Sequence, residues 1–148
     1  MGRLIVFEHN TCVDAGLGWG HGQRPDPNGR HLMFYDNVAA TANVVIRSNI
    51  FCNATDSLLR LQGRDWTAAL VMDRNCWCQP RGPVLLWGQQ TIGAGEFAAF
   101  MHARGLNGNS LVTDPKFINP AQRDYRLRPD SPARARGGGG KSAGGLLD

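Results

Sequence analysis

Apolar residues along this chain come in short runs that recur at a fixed interval, without the i, i+3, i+4 rhythm of amphipathic helices. Four runs end in Asn or Asp: Val6-Phe7-Glu8-His9-Asn10, Val45-Ile46-Arg47-Ser48-Asn49, Val71-Met72-Asp73-Arg74-Asn75 and Leu111-Val112-Thr113-Asp114. A second type reads Leu32-Met33-Phe34-Tyr35, Leu58-Leu59-Arg60-Leu61, Leu85-Leu86-Trp87 and, more weakly, Tyr125-Arg126-Leu127. The step from Asn49 to Asn75 is about 26 residues, and the same step separates Leu32 from Leu58 and, within one residue, Leu58 from Leu85. Asn10 to Asn49 and Asn75 to Asp114 are equal to each other and each half a period longer. Two strand types sharing one period mark a repeat architecture. About 26 residues at about 3.3 Å each give a perimeter on the order of 80 Å, which suits one turn of a solenoid. The expected fold is all-β, a parallel β-helix of about three to four coils with one short helical insertion.

Departures from the period locate two insertions. Asn10 to Leu32 takes more than twice the length that Asn49 to Leu58 and Asn75 to Leu85 take, placing an outward loop at residues 16–29. Leu85 to Asp114 likewise exceeds the matching stretches Leu32 to Asn49 and Leu58 to Asn75, placing a second insertion at residues 91–106. Within it, residues 96–103 lack Gly and Pro and predict a short helix ended by Gly105. The coils then fill residues 1–136, and the Gly-rich residues 137–148 read as a loose tail. Equivalent residues of successive coils sit about 4.8 Å apart, so identical side chains form ladders. Asn10, Asn49 and Asn75 are expected to stack as an asparagine ladder at a bend. Val44/Leu70, Ile46/Met72 and Ile50/Cys76 are expected to stack inward, with Arg47 and Asp73 pairing across coils.

The segment Asn43-Val44-Val45-Ile46-Arg47-Ser48-Asn49-Ile50-Phe51 resembles a coil of the bacterial right-handed parallel β-helix proteins of the pectate-lyase-like superfamily. So do Ser110-Leu111-Val112-Thr113-Asp114-Pro115-Lys116-Phe117, Asp124-Tyr125-Arg126-Leu127 and Ser131-Pro132-Ala133. The resemblance implies a right-handed solenoid, a position near its C-terminal end, and an extracellular or periplasmic parent. It leaves activity open, because that group holds polysaccharide lyases, glycoside hydrolases, epimerases and non-catalytic coils. Ser48 departs from it where a second Asn is usual, and the resemblance leads to the expectation that the chain begins mid-solenoid without an N-terminal cap. A bare solenoid end exposes unpaired backbone groups and apolar core, so the first coil is expected to be covered by a partner, most simply a second copy.

Composition narrows the classes. Nineteen glycines, eight prolines and 19% charged residues argue against a helical bundle. The net charge of +4 draws on Arg123, Arg126, Arg128, Arg134 and Arg136, a cluster read as a solvated basic surface that would favour anionic partners such as uronic-acid polysaccharides. No interleaved aromatic platform accompanies it, so nucleic acid is not expected. No apolar run approaches a membrane span, and residues 4–7 are too short a run for a secretory signal. Gly137 to Ser142 superficially suggests a phosphate loop, but Ala135 stands where its first glycine belongs.

Candidate chemistry gathers in the loop at residues 16–29. Trp19, His21, Gln23, Arg24 and Asp26 join an aromatic face to titratable and planar polar groups that suit a sugar. His21 and Asp26 are the candidate catalytic pair, with Trp19, Gln23 and Arg24 binding substrate. Arg60, Asp65, Trp66 and Trp87 would extend a polysaccharide groove along the second strand type, while His31 reads as a surface residue. Hydrolysis needs two carboxyl groups about 5 to 9.5 Å apart, and Glu8, Asp26, Asp36 and Asp65 are the available acids. A lyase needs a base and a group to neutralise the uronate. No acidic cluster has calcium-loop spacing, so neither metal nor cofactor is expected. Cys52 and Cys78 both follow their ladder Asn by three residues, which stacks them within reach of a disulfide, but inward apolar packing of reduced thiols is the favoured reading. Cys76-Trp77-Cys78 with Cys12 has poor spacing for zinc. The expected role is a carbohydrate-associated β-helix piece related to lyases or glycoside hydrolases, with little independent activity. The alternative is a non-catalytic self-associating solenoid or glycan-binding module.

Overall fold

A computed structural model describes residues 4–18, 28–36 and 41–145. The first nine strands are β1 (Ile5–Glu8), β2 (Thr11–Ala15), β3 (Arg30–Phe34), β4 (Val44–Arg47), β5 (Ile50–Ala54), β6 (Ser57–Leu61), β7 (Leu70–Asp73), β8 (Cys76–Cys78) and β9 (Leu85–Trp87). After them come β10 (Gln90–Ile92), helix α1 (Ala94–His102), β11 (Leu111–Val112), β12 (Phe117–Asn119) and β13 (Asp124–Leu127). The chain is mostly β, 40% strand against 15% helix, with parallel sheets.

Successive strands visit three sheets in turn. Sheet one is β1-β4-β7, sheet two is β2-β5-β8-β11, and sheet three is β3-β6-β9 with β10 added at its edge. All pairings in these sheets are parallel except β10 with β9. Ile5, Val44 and Leu70 are aligned across sheet one, and Cys12, Phe51 and Trp77 across sheet two. Each pass therefore uses three strands where the apolar runs suggested two, because Thr11–Ala15, Ile50–Ala54 and Cys76–Cys78 form a sheet of their own.

Several expected alignments are corrected. In sheet three Leu32 pairs with Leu59 and Leu59 with Leu85, so the partner of Leu32 lies one residue beyond the expected Leu58. Leu111–Val112 joins Cys76 and Trp77 in sheet two, which makes Ser110 and not Asp114 the residue that follows the asparagine column. Asp124–Leu127 does not extend sheet three; it forms an antiparallel hairpin with Phe117–Asn119. The helix starts at Ala94, two residues earlier than expected, and Gly105 does take a left-handed φ of 66° beyond its end.

The core explains these shifts. Val44, Ile46, Leu59, Leu61, Leu70 and Met72 point inward with Phe51 and Trp77. Phe51 and Trp77 stack at 4.6 Å between centroids, and Trp77 meets Phe97 of α1 edge-on at 5.3 Å, so the helix closes that end of the interior. Ile50 and Cys76, expected to point inward, lie on the opposite face of sheet two, where Phe117, Ala133 and Ala143 bury them. A strand apolar on both faces is what a sheet covered on both sides requires. The expected loose tail supplies part of that cover through residue 145: Ala143 N–H donates to the Ala133 carbonyl at 2.9 Å and Gly144 N–H to the Ser48 carbonyl at 2.8 Å. Arg47 pairs with Glu8 at 2.6 Å, in the previous strand of sheet one, and not with Asp73, which contacts Arg74 at 3.3 Å.

Candidate functional site

Asparagine organises the bend between sheets one and two. His9, Ser48 and Arg74 hold left-handed φ angles of 55°, 56° and 53°, turning the chain sharply before Asn10, Asn49 and Asn75. Such a turn takes backbone groups out of the ladders, and a short amide can replace the lost partners. Asn10 Nδ2 donates to Asn49 Oδ1, and Asn49 Nδ2 to Asn75 Oδ1, each at 3.0 Å. Asn49 Nδ2 and Asn75 Nδ2 also reach the carbonyls of Phe7 and Ile46. This column is a structural device with no access to a ligand, since Asn49 and Asn75 are fully buried.

The strand-side sugar candidates do not converge on a groove. Trp66 is 0% exposed; its Nε1–H donates to the Gln62 carbonyl and its ring packs on Phe34. Trp87 is 7% exposed and meets Phe100 of α1 edge-on, with the Arg104 guanidinium 5.3 Å from its ring. Both are core residues, drawn inward because helix α1 and the first-pass strand β3 provide apolar walls that no local pattern announces. Asp65 holds the Thr67 N–H and hydroxyl at 2.9 and 2.6 Å, forming the turn that leads into β7. Arg60 lies on the outer side of sheet three between Met33 and Leu86, with its Nε lacking a hydrogen-bond partner. Trp19, His21, Gln23, Arg24 and Asp26 lie outside the described residues. The neck of their loop is described: a Cβ on Gly29 would collide with the Ala15 backbone, and one on Gly16 with Thr55 Oγ1.

His31 is not a surface group. Its Nε2 is 3.0 Å from the Asn53 carbonyl and 3.3 Å from that of Cys52, so Nε2 carries the proton. Burial pushes the imidazole below its ordinary value of 6.5, against the opposing pull of those two carbonyls.

A cleft of about 570 Å³ opens instead between the outer face of sheet two and the β12–β13 hairpin, lined by Asp14, Cys52, Asn53, Cys78, Lys116 and Arg128 among others. Asp14 and Asn53 both bend through left-handed φ angles, 58° and 59°, and Asn53 Nδ2 donates to Asp14 Oδ1 at 2.8 Å. Gln79, one strand further on, clasps Ala54 through both amide atoms at 3.0 Å. Lys116 is tied to Asp130 at 2.7 Å. Arg128 also lines the cleft, and its charge helps hold the Asp130 carboxyl below its ordinary value.

The reactive groups here are thiols. Cys52 and Cys78 are register partners in parallel strands and so project to the same side. Each thiol is the main influence on the other, the pairing holding Cys78 below the ordinary thiol value and raising Cys52. All four cysteines are free; burial raises Cys12 and pushes Cys76 up to about 12. The placing of Cys52 and Cys78 one period apart was readable in the sequence, whereas Asp14, Asn53, Lys116 and Arg128 were not, because the hairpin that completes the cleft follows no repeat. Among the described residues no group of three His, Cys, Asp or Glu side chains could hold a metal ion.

No family model, curated protein or solved structure matches the chain.

Proposed function

We propose that the three-sheet circuit winds as a right-handed parallel β-helix of the pectate-lyase-like type, and that the chain is a non-catalytic module that self-associates through its first pass. The handedness rests on the strong preference of parallel crossovers for the right-handed sense. The self-association rests on one observation: β1, β2 and β3 all end their sheets, and β1 leaves Ile5 and Val6 exposed. Ile5 is 48% exposed, while its register partner Val44 is 1% exposed. Phe7, Cys12, Leu32 and Phe34 are likewise only partly buried against the core.

A second copy of this chain fits that end best. Glu8 is paired with Arg47, and Arg30 with Asp56 at 2.5 Å, so the first pass directs these charges toward the second pass and away from the open end. Two such faces meet without like-charge repulsion, as an isologous dimer needs. The opposite end is closed by α1, so stacking stops at two copies. Sedimentation over a wide concentration range should give a dimer, and Ile5→Lys should make it a monomer with an unchanged far-UV spectrum. A native chain that stays monomeric at high concentration overturns the reading.

The described residues give no support to a lyase or hydrolase groove, because Trp66 and Trp87 are core and Asp65 forms a turn. A polysaccharide-handling role would have to be carried by the loop bearing Trp19, His21, Gln23, Arg24 and Asp26.

A further inference from the structure

We propose that Cys52 and Cys78 form a dithiol–disulfide couple that exchanges with small anionic disulfides entering the cleft beside Arg128. Adjacent strands place register partners about 4.8 Å apart, inside the Cα range of about 4.4 to 6.8 Å that a disulfide bridges. The two thiols are half-buried, face the same way and line one open cleft. The other cysteines are kept out of reach. Cys12 packs against the main core, and Cys76 is fully buried with its Sγ 3.5 Å from the Thr113 carbonyl. Arg128 lines the same cleft, its guanidinium held by no hydrogen bond among the described residues and acting on Asp130 only through space, and its planar fork is a fitting receptor for a carboxylate on the incoming molecule.

The steps balance without a further reagent. The Cys78 thiolate attacks one sulfur of the small disulfide RSSR, its S–S bond breaks, and RS⁻ leaves and is protonated by solvent. Cys52 then gives up its proton to solvent and attacks Cys78 Sγ, expelling the second RS⁻. Two protein thiols and RSSR become one Cys52–Cys78 disulfide and two RSH, with two electrons passing to the small molecule. Cys78, held below the ordinary thiol value beside Cys52, is the first nucleophile, since the thiolate is the reacting form.

The test incubates the native chain with oxidised glutathione, without denaturant, and maps the products by mass spectrometry. A loss of two hydrogens with a Cys52–Cys78 cross-link is expected, and Cys52→Ser should accumulate a mixed disulfide on Cys78. Cys78→Ser should react at least about tenfold more slowly. Arg128→Ala should slow the reaction with oxidised glutathione by about tenfold and leave that with neutral bis(2-hydroxyethyl) disulfide unchanged. A cross-link involving Cys12 or Cys76, a mixed disulfide that persists in the native chain, or no reaction by a chain whose circular dichroism is native overturns the proposal. The mapping reads an intramolecular bond, so its outcome is independent of whether the chain dimerises.

Discussion

Asn49 stands at the middle of the asparagine column and serves both neighbours. Its Oδ1 accepts from Asn10 N–H and Nδ2, while its Nδ2 donates to Phe7 and Asn75. Asn49→Ala would strand several of these groups out of water at about 1–3 kcal/mol each. A total loss of about 3–5 kcal/mol is expected, read as a lower urea midpoint. Asn10→Ala, at the half-exposed end of the column, should cost about 1 kcal/mol. His31 gives the fold a pH dependence of known sign. Its folded pKa lies below the unfolded value of 6.5, so the unfolded chain takes up a proton first. The stability it contributes is complete above that value and is lost as pH falls from 6.5 through the lowered folded pKa. Melting temperatures at pH 7.5 and 5 should differ more in the native chain than in His31→Asn, and equal differences would show that another group sets the slope.

At the scale of elements, the neck of the first insertion is a tight joint. Gly29 N–H donates to Thr55 Oγ1 at 2.8 Å while its α-carbon faces the Ala15 backbone, which cannot yield as a side-chain tip could. Gly29→Ala should therefore destabilise by about 1–3 kcal/mol, an overpacking cost measurable by thermal unfolding. The repeat was legible because its signals are local: an Asn after each turn, and apolar runs at countable distances. The register of sheet three was not, because Leu58, Leu59 and Leu61 offer apolar residues on both faces and a one-residue slip leaves no visible mismatch. Ile50-Phe51-Cys52 hid its facing for the same reason, since the cover over Ile50 comes from Phe117, Ala133 and Ala143, far along the chain. Trp66 and Trp87 looked like sugar platforms because neighbouring polar residues are visible in the sequence, whereas the aromatic walls that enclose them are not. The thiol pair was half legible: the stacking followed from the period, and the open cleft did not.

For the whole molecule, the two ends of the stack differ in kind. One is shut by α1 through Phe97 and Met101, and the other presents strand edges with Ile5 and Val6 exposed. Between them, Val44 and Leu70 begin successive passes in unbroken register. Residues 44–69 thus form a cassette whose upper and lower surfaces are cut from the same mould. A second cassette spliced in after Ala69 would meet the original on matching leucine, valine and asparagine positions, leaving both termini of the stack as they were. If the sheets wind as the proposed β-helix, each added layer contributes a nearest-neighbour increment, and the lengthened protein should unfold at higher urea with a steeper denaturant slope. Growth of this protein by tandem duplication would accordingly meet little resistance in its interior and be constrained only at its lids.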